Sequence, residues 1–235
     1  MSFPRNLTLF HTGEEKLRVK ALELLADNQK MKIHLSAVEN AMNLADILRQ
    51  EKLEDDDYNV IKLLNMRIFN AFAASIKLCL SGYSQNGALI MRDIVETVFL
   101  LDLFRTDYPA VKRWRLASEK ERKNEFSPIK VRLYLDKRDG FEGEKRHELY
   151  KMFCELAGHA NIKSTEMLRP NKGMDARSGP FIEQTSLFAT ISEMGRLAVQ
   201  SGDLTTVFIK SDTGIAISAQ KEFNRVKALW FREFY

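Results

Sequence analysis

The spacing of apolar residues predicts a chain made almost entirely of helices. Over 56–81, apolar side chains recur three and four positions apart, which places them on one helical face. From Ala88 to Phe104 they fall on every side of the helix, as is typical of a helix buried within a fold. Gly82 separates the two stretches and favours a helix end. We therefore predict an antiparallel hairpin of long helices over 56–81 and 84–105.

Capping motifs predict where other helices begin. In a capping box, Ser or Thr and a Glu three residues later each bond to a backbone N–H that the first turn leaves unpaired. Three such pairs predict helices of about 13–30 and 37–51 and a short helix after Ser118: Thr12 with Glu15, Ser36 with Glu39, and Ser118 with Glu121. Further helices are predicted over 108–116, 127–134, 144–158, 180–201 and 215–233.

Two stretches lack a clear pattern. Residues 164–180 contain two prolines and two glycines without helical periodicity, which is typical of a lid or binding loop. Residues 204–217 look locally like a β-hairpin, so their structure stays open. No repeat or change of composition marks a boundary, and we predict that 1–235 form a single all-α domain, a helical bundle built on the hairpin.

Composition indicates a soluble globular protein. Hydrophobic residues make up 45% of the chain and charged residues 29%, which excludes a disordered chain. Arg92, Asp93, Glu96 and Asp102 interrupt the apolar stretch over 84–105, so it is not expected to span a membrane, and no membrane partner is expected. Cys79 and Cys154 lie in apolar helical patterns, so we expect buried free thiols in a reducing, cytoplasmic compartment. The histidines have no metal-ligand spacing and no phosphate-binding glycine loop is present, so no metal and no cofactor are expected.

The positive charge is concentrated in one segment. Residues 112–138 contain ten Lys and Arg against four acidic residues, within a chain whose net charge is only +4. Such an excess attracts phosphates, although a solvated helical face is its more common cause. Arg113 and Arg115 flank Trp114, an arrangement that could stack a base and hold phosphates. The alternative is that Trp114 packs inward while its neighbours stay in water.

Arg92 and Glu96 are charged residues on the most apolar predicted helix. They stand four residues apart and share one face with Leu89 and Phe99. Because an unpaired buried charge is costly, we expect this pair to be largely buried and to contact polar groups. Two interpretations remain open: a salt bridge that fixes helix register, or the wall of a polar pocket or subunit interface.

His159 ends a predicted helix just before the patternless loop. A histidine at a helix C-terminus gains from the helix dipole when protonated, so it could serve as a cap or a packing residue. Gly158 leaves space beside it, and the functional interpretation is a general base or a phosphate contact at the mouth of a pocket.

Three stretches carry a resemblance to a known family: ALIMRDIVETVFLL with Arg92 and Glu96, YPAVKRW followed by Phe-Ser-Pro, and YKMFCELAGHANIKS with Tyr150 and His159. Over about 60–165 the chain resembles uncharacterised prokaryotic proteins with a HEPN-like helical domain. The resemblance implies a helical, often dimeric protein of a toxin–antitoxin or phage-defence system. Many members are metal-independent ribonucleases with an Arg four to six residues before the His, and this chain has no Arg at that distance before His159.

We therefore expect an intracellular HEPN-like protein that binds RNA or a nucleotide and has weak or no ribonuclease activity; whether it is an enzyme stays open. The candidate catalytic residues are His159 and Arg92, and the candidate binding residues are Glu96, Tyr150, Arg113 and Arg115. A homo-oligomer and a protein partner are also expected. The alternative is a non-catalytic dimeric scaffold or antitoxin-like partner, in which the Arg92–Glu96 pair is purely structural.

Overall fold

A computed structural model describes residues 4–142, 145–158, 161–170 and 173–235. The described residues form helices joined by turns and loops and contain no strand, which confirms an all-α, single-domain fold. The helices are α1 (Arg5–Ala26), α2 (Gln29–Gln50), α3 (Asp56–Leu80), α4 (Ser84–Thr106), α5 (Pro109–Leu116), α6 (Glu119–Glu125), α7 (Pro128–Arg138), α8 (Lys145–Phe153), α9 (Ile162–Glu166), α10 (Gln184–Phe208) and α11 (Gly214–Phe234). A π-helical turn, Cys154–Gly158, continues α8.

The predicted hairpin is confirmed as α3 and α4, joined by a short turn that contains Gly82. Arg67 near the middle of α3 pairs with Asp93 of α4 at 2.6 Å. Closer to the turn, Ser75 Oγ donates a hydrogen bond of 2.9 Å to the Gly87 carbonyl. In both contacts, a residue before the turn meets a residue after it, and the second pair lies closer to the turn than the first. This is the pattern of antiparallel helices. Buried residues lie on several sides of α4, as its all-round apolar pattern predicts.

The rest of the core is built by α2, α10 and α11 against the hairpin. The helix α10 packs along α2 and also contacts α3 and α4, while α11 packs against both α2 and α10. Two glycines of α10 allow these close approaches, because a Cβ on Gly195 would overlap the His34 ring and a Cβ on Gly202 would overlap the Phe223 ring. By length and composition α3 could span a membrane, but here its buried residues belong to this core.

Substituting Gly202 with alanine tests the close approach of α10 and α11. Phe223 is fully buried and cannot swing away, so we expect a loss of about 2 kcal/mol in the free energy of unfolding. The matched control is Gly13→Ala in α1, where a Cβ meets no atom within 4 Å. That variant should gain up to about 1 kcal/mol because alanine favours helix over glycine. Urea unfolding followed by circular dichroism measures both, and a neutral Gly202→Ala would contradict the packing.

Two of the three predicted capping boxes are wrong. The helix α1 begins at Arg5, and the Thr12 hydroxyl bonds back to the Thr8 carbonyl at 3.0 Å inside the helix. The helix α2 begins at Gln29, where Asn28 caps the Met31 N–H. The same Ser/Thr-x-x-Glu spacing also fits a helix interior, where the hydroxyl bonds to the preceding turn instead. At Ser118 both bonds of the predicted box form, and the start of α6 is confirmed.

The stretch that looked like a β-hairpin is helical up to Phe208. The helix α10 starts at Gln184, where the Glu183 carboxylate accepts two backbone N–H bonds, rather than at the predicted Pro180. Its β-branched end is held in the core, where Thr205 Oγ1 contacts Asn65 Oδ1 at 2.6 Å. Burial against α2 and α3 therefore outweighs the local β preference. The predicted C-terminal helix over 215–233 is confirmed as α11.

Candidate anion-binding site

Arg92 and Glu96 form the predicted pair on α4, but they are only partly buried. The Arg92 Nη2 and Glu96 Oε1 atoms are 3.2 Å apart, and the side chains are 28% and 29% exposed. The expectation of a largely buried pair is therefore wrong. This face of α4 is covered by the short α8 and the π-helical turn rather than by a long helix, and their cover is incomplete.

Tyr150 of α8 lies beside this pair and contacts two arginines. The Arg92 Cζ atom is 5.1 Å from the centre of the Tyr150 ring, and the Arg132 Cζ atom of α7 is 4.1 Å from it. Burial raises the pKa of the Tyr150 hydroxyl to about 12, with further contributions from the neighbouring Cys154 and Glu96. Tyr150 is therefore an uncharged phenol at neutral pH, whose ring attracts cations.

Arg132 is the functional candidate that the sequence reasoning missed. Its residue exposure is 5%, and it forms no hydrogen bond or ion pair with any other described residue. Its Nη1 atom is fully buried without a partner. Buried guanidinium groups normally pair with a carboxylate, because removing an unpaired charge from water is expensive. The sequence could have indicated Arg132, because it lies among the apolar residues Val131 and Leu135, which form the buried side of α7.

The π-helical turn Cys154–Gly158 brings the backbone against Arg92. A π turn leaves carbonyls outside the regular helical pattern, and side chains satisfy two of them here. Asn161 Nδ2 donates to the Glu155 carbonyl at 3.0 Å, and Gln85 Nε2 reaches the Leu156 carbonyl at 3.4 Å. A Cβ on Gly158 would lie 3.1 Å from Arg92 Nη1, so the glycine permits this approach. Such turns occur frequently at functional sites.

The candidate catalytic residue His159 lies outside the described residues. The structure thus brings together Arg92, Glu96 and Tyr150 of the predicted site, adds Arg132, and leaves the position of His159 open. Burial alone would lower the pKa of Arg92, but Tyr150, Cys154 and Glu96 outweigh it and raise that pKa. Arg92 is a permanent cation at this site.

An ion-pair network holds α4, α7 and α8 in the positions that build the site. Asp102 of α4 is 8% exposed and accepts hydrogen bonds from Arg138 at 2.9 and 3.0 Å and from Arg105 at 2.6 Å. On the other side, Arg146 of α8 donates to Asp136 of α7 at 2.8 Å. The network fixes the two short helices that carry Arg132 and Tyr150.

The predicted binding residues Arg113 and Arg115 lie on α5 and contact carboxylates. Arg113 is paired with Asp107 at 2.8 Å and with Glu125 at 2.9 Å. Arg115 is paired with Asp56 and Asp57 at the start of α3. Trp114 packs edge-to-face against the buried Phe104 with ring centres 6.0 Å apart, as its inward-packing alternative predicts.

Other cations of the basic segment remain available. Six are exposed and form no ion pair within the described part of the chain: Lys112, Lys120, Arg122, Lys123, Lys130 and Lys137. They line α5 to α7, so α7 carries both exposed lysines and the buried Arg132. The basic surface and the candidate site are therefore parts of one region.

The remaining candidate chemistry is sparse. Within the described ranges, no group of His, Cys, Asp and Glu is arranged to hold a metal ion. Cys79 is buried as predicted, and burial raises the pKa of its thiol to about 12. Cys154 is only partly buried, because it lies in the π-helical turn next to Tyr150.

Comparisons of the chain with protein-family models, with curated proteins and with solved structures find no match. The fold and the site are therefore the evidence for function. Together they define a class: an all-α, single-domain protein with two arginines held against one tyrosine, beside an exposed basic surface.

Proposed function

We propose that this is an intracellular HEPN-like protein that binds RNA or a nucleotide, with phosphates held by Arg92 and Arg132. The observation that supports the proposal is the buried guanidinium of Arg132, which lacks an anionic partner among the described residues. A bound phosphate would supply that partner, and charge-assisted bonds to phosphate are strong. The resemblance implies a toxin–antitoxin or phage-defence setting.

The pairing around Tyr150 suits a phosphate ligand. A guanidinium offers a planar fork of donors that matches two phosphate oxygens. Tyr150 holds both guanidinium groups through its ring, while Glu96 contacts Arg92 in the absence of ligand. The partial exposure of Arg92 gives a phosphate a route to displace Glu96. The exposed cations of α5 to α7 add longer-range attraction to a polyanion, which favours RNA.

Binding without rapid cleavage is the expected outcome. A side chain that acts as a general base at neutral pH needs a pKa close to that pH. The pKa of the Tyr150 hydroxyl is about 12, so Tyr150 does not serve as this base. No Arg stands four to six residues before His159, so the charge that HEPN ribonucleases place beside their histidine is missing from the motif. We therefore expect RNA to remain largely intact in the presence of a chelator.

Short fluorescent single-stranded RNA, titrated with protein in EDTA at several salt concentrations, tests the proposal. We expect Arg132→Met to weaken binding by about tenfold to hundredfold, because a charged hydrogen-bonding partner is lost. The slope of log affinity against log salt should become shallower by about 0.7 for each phosphate contact removed. Methionine fills the space beside Tyr150, so the fold should persist. Arg92→Gln should act in the same direction.

The matched control is Arg225→Met on α11, an exposed arginine that contacts only Glu222 among the described residues. Its affinity and salt slope should equal those of the wild type. If Arg132→Met is folded and binds RNA and nucleotides as tightly as the control, the site proposal fails. The scaffold alternative then gains, and sedimentation equilibrium tests its dimer. Rapid cleavage in EDTA that His159→Ala abolishes would contradict weak activity.

A further inference from the structure

A cavity of about 630 Å³ lies between α1 and the loop over 177–182. It shares no lining residue with the candidate anion-binding site. Its apolar wall is formed by Leu9, Phe10 and Leu17 of α1 and by Phe181 and Ile182 of the loop. Leu9 is 59% exposed and Phe10 is 47% exposed, so large apolar surface at this cavity is open to solvent. The volume falls in the range of small-molecule sites.

Backbone contacts hold the loop side of the cavity in place. The Phe181 N–H donates to the Gly82 carbonyl at 3.1 Å, and the Arg177 N–H donates to the Leu168 carbonyl at 2.8 Å. Gly82 has a φ of +90°, and a Cβ at this position would lie 2.7 Å from the Phe181 nitrogen. The hairpin turn therefore anchors the loop through a contact that requires glycine. The cavity is preformed rather than dependent on ligand.

The charges around this cavity have a single sign. Lys16, Lys20 and Arg177 line it, and no lining residue is acidic. None of these three side chains forms an ion pair with the described residues. An apolar wall beside three unpaired cations complements a ligand that combines an apolar chain with one negative group.

We propose that this cavity binds a small amphipathic anion, namely a monomeric acyl-chain carboxylate with a chain of about ten carbons. The chain would lie against Phe10, Leu17 and Phe181, and the carboxylate would face Lys16, Lys20 and Arg177. Burial of the chain drives binding, and the cations select the head group. The inference is independent of RNA binding.

Isothermal titration of the full chain with decanoate, kept below its micelle concentration, tests the ligand class. We expect saturable binding at one site. The Kd should decrease about threefold to fourfold for each methylene group added on going from octanoate to decanoate. Decyltrimethylammonium has a similar tail and the opposite charge, and it should bind at least about thirtyfold more weakly, because it loses the contacts with all three cations. Equal binding of both compounds would overturn the role of the cations, and absence of decanoate binding would overturn the proposal.

Gly13→Leu tests the location of the site. Gly13 lines the cavity, and a side chain built there enters open space. Leucine should fill the cavity and abolish decanoate binding, while the melting temperature of the free protein stays equal or rises because leucine favours helix over glycine. A folded Gly13→Leu that binds decanoate normally would overturn the proposed site.

Charge variants test the head-group contacts. Each of Lys16→Gln, Lys20→Gln and Arg177→Gln should weaken binding by about threefold to fivefold, as is typical of an exposed ion pair. The matched control is Lys221→Gln, an exposed lysine of α11 that should leave the Kd unchanged. Vesicles containing phosphatidylglycerol test whether the cavity binds a membrane surface instead of a monomeric ligand. Binding to these vesicles without binding to monomeric decanoate would overturn the proposal in favour of a membrane surface.

Discussion

Replacing Asp102 with alanine will lower the free energy of unfolding by about 2–3 kcal/mol, because a buried carboxylate loses its charge-assisted hydrogen bonds to Arg138 and Arg105. Asp102 accepts hydrogen bonds from Arg138 and Arg105, and Arg146 Nη2 lies 3.8 Å from it. With the carboxylate removed, Arg138 keeps only Asp139 as an acidic partner within the described residues. Urea unfolding at pH 7 measures the loss.

The control for Asp102 is Asp46→Ala, which removes a carboxylate from an exposed pair with Arg49 at 2.7 Å. Exposed pairs of this kind contribute about 0–1 kcal/mol, so this variant should be close to wild type. Asp102→Ala should also weaken RNA binding at temperatures where it remains folded, since α7 and α8 carry Arg132 and Tyr150. An Asp102→Ala variant as stable as Asp46→Ala would contradict the structural role of the network.

Acidification will destabilise the protein through His34, by about 3 kcal/mol between pH 7 and pH 4. His34 is 4% exposed, and burial lowers its pKa from 6.5 to about 4, with a further contribution from the charge of Arg196. Because the folded pKa lies below the unfolded value, the unfolded chain takes up the proton first. The contribution is complete above pH 6.5 and is lost as the pH falls towards 4.

The geometry around His34 explains this cost. Trp230 Nε1 donates a hydrogen bond to His34 Nδ1 at 2.9 Å, and Phe234 stacks on the imidazole with ring centres 4.1 Å apart. Protonation would place a hydrogen on Nδ1, where it would oppose the Trp230 N–H. From α10, Gly195 packs against this ring and the charge of Arg196 acts on it, so protonation would add a second positive charge beside Arg196.

His34→Asn separates this effect from the titration of carboxylates. The side-chain oxygen of the introduced asparagine would accept the Trp230 hydrogen bond in place of Nδ1, but the amide does not titrate. Urea unfolding at pH 7, 6, 5 and 4 should show a steeper loss in the wild type than in the variant. Equal pH dependence in both proteins would show that His34 does not carry the effect.

The hairpin was predictable because its signals are local. Helical periodicity over 56–81, all-round apolar residues over 88–104 and Gly82 between them determine two buried helices and the turn. The Ser118 box was equally predictable, since both of its bonds join residues three positions apart. The spacing of Arg92 and Glu96 determines that they can pair, because residues four apart on a helix are neighbours.

Tertiary packing decided the features that local pattern left open or suggested wrongly. The β-branched end of α10 is helical because Thr205 and its neighbours are buried against α2 and α3. The segment that follows α10 is held by Glu51, whose carboxylate accepts the backbone N–H groups of Lys210 and Ser211 at 2.9 and 2.8 Å. These contacts join residues far apart in the chain, so no local window contains them.

The same division applies to the candidate site. The spacing of Arg92 and Glu96 on α4 indicated that these two residues can pair, and the sequence indicated a basic segment over 112–138. The tertiary structure decided that Arg113, Arg115 and Arg138 of this segment contact carboxylates while the buried Arg132 does not. The contact of Arg132 with Tyr150 depends on how α7 and α8 pack on α4, and that packing is set by the buried network around Asp102. A charged side chain is buried without a partner only when helices from distant parts of the chain exclude water from it. The spacing of residues along the chain does not show where this happens.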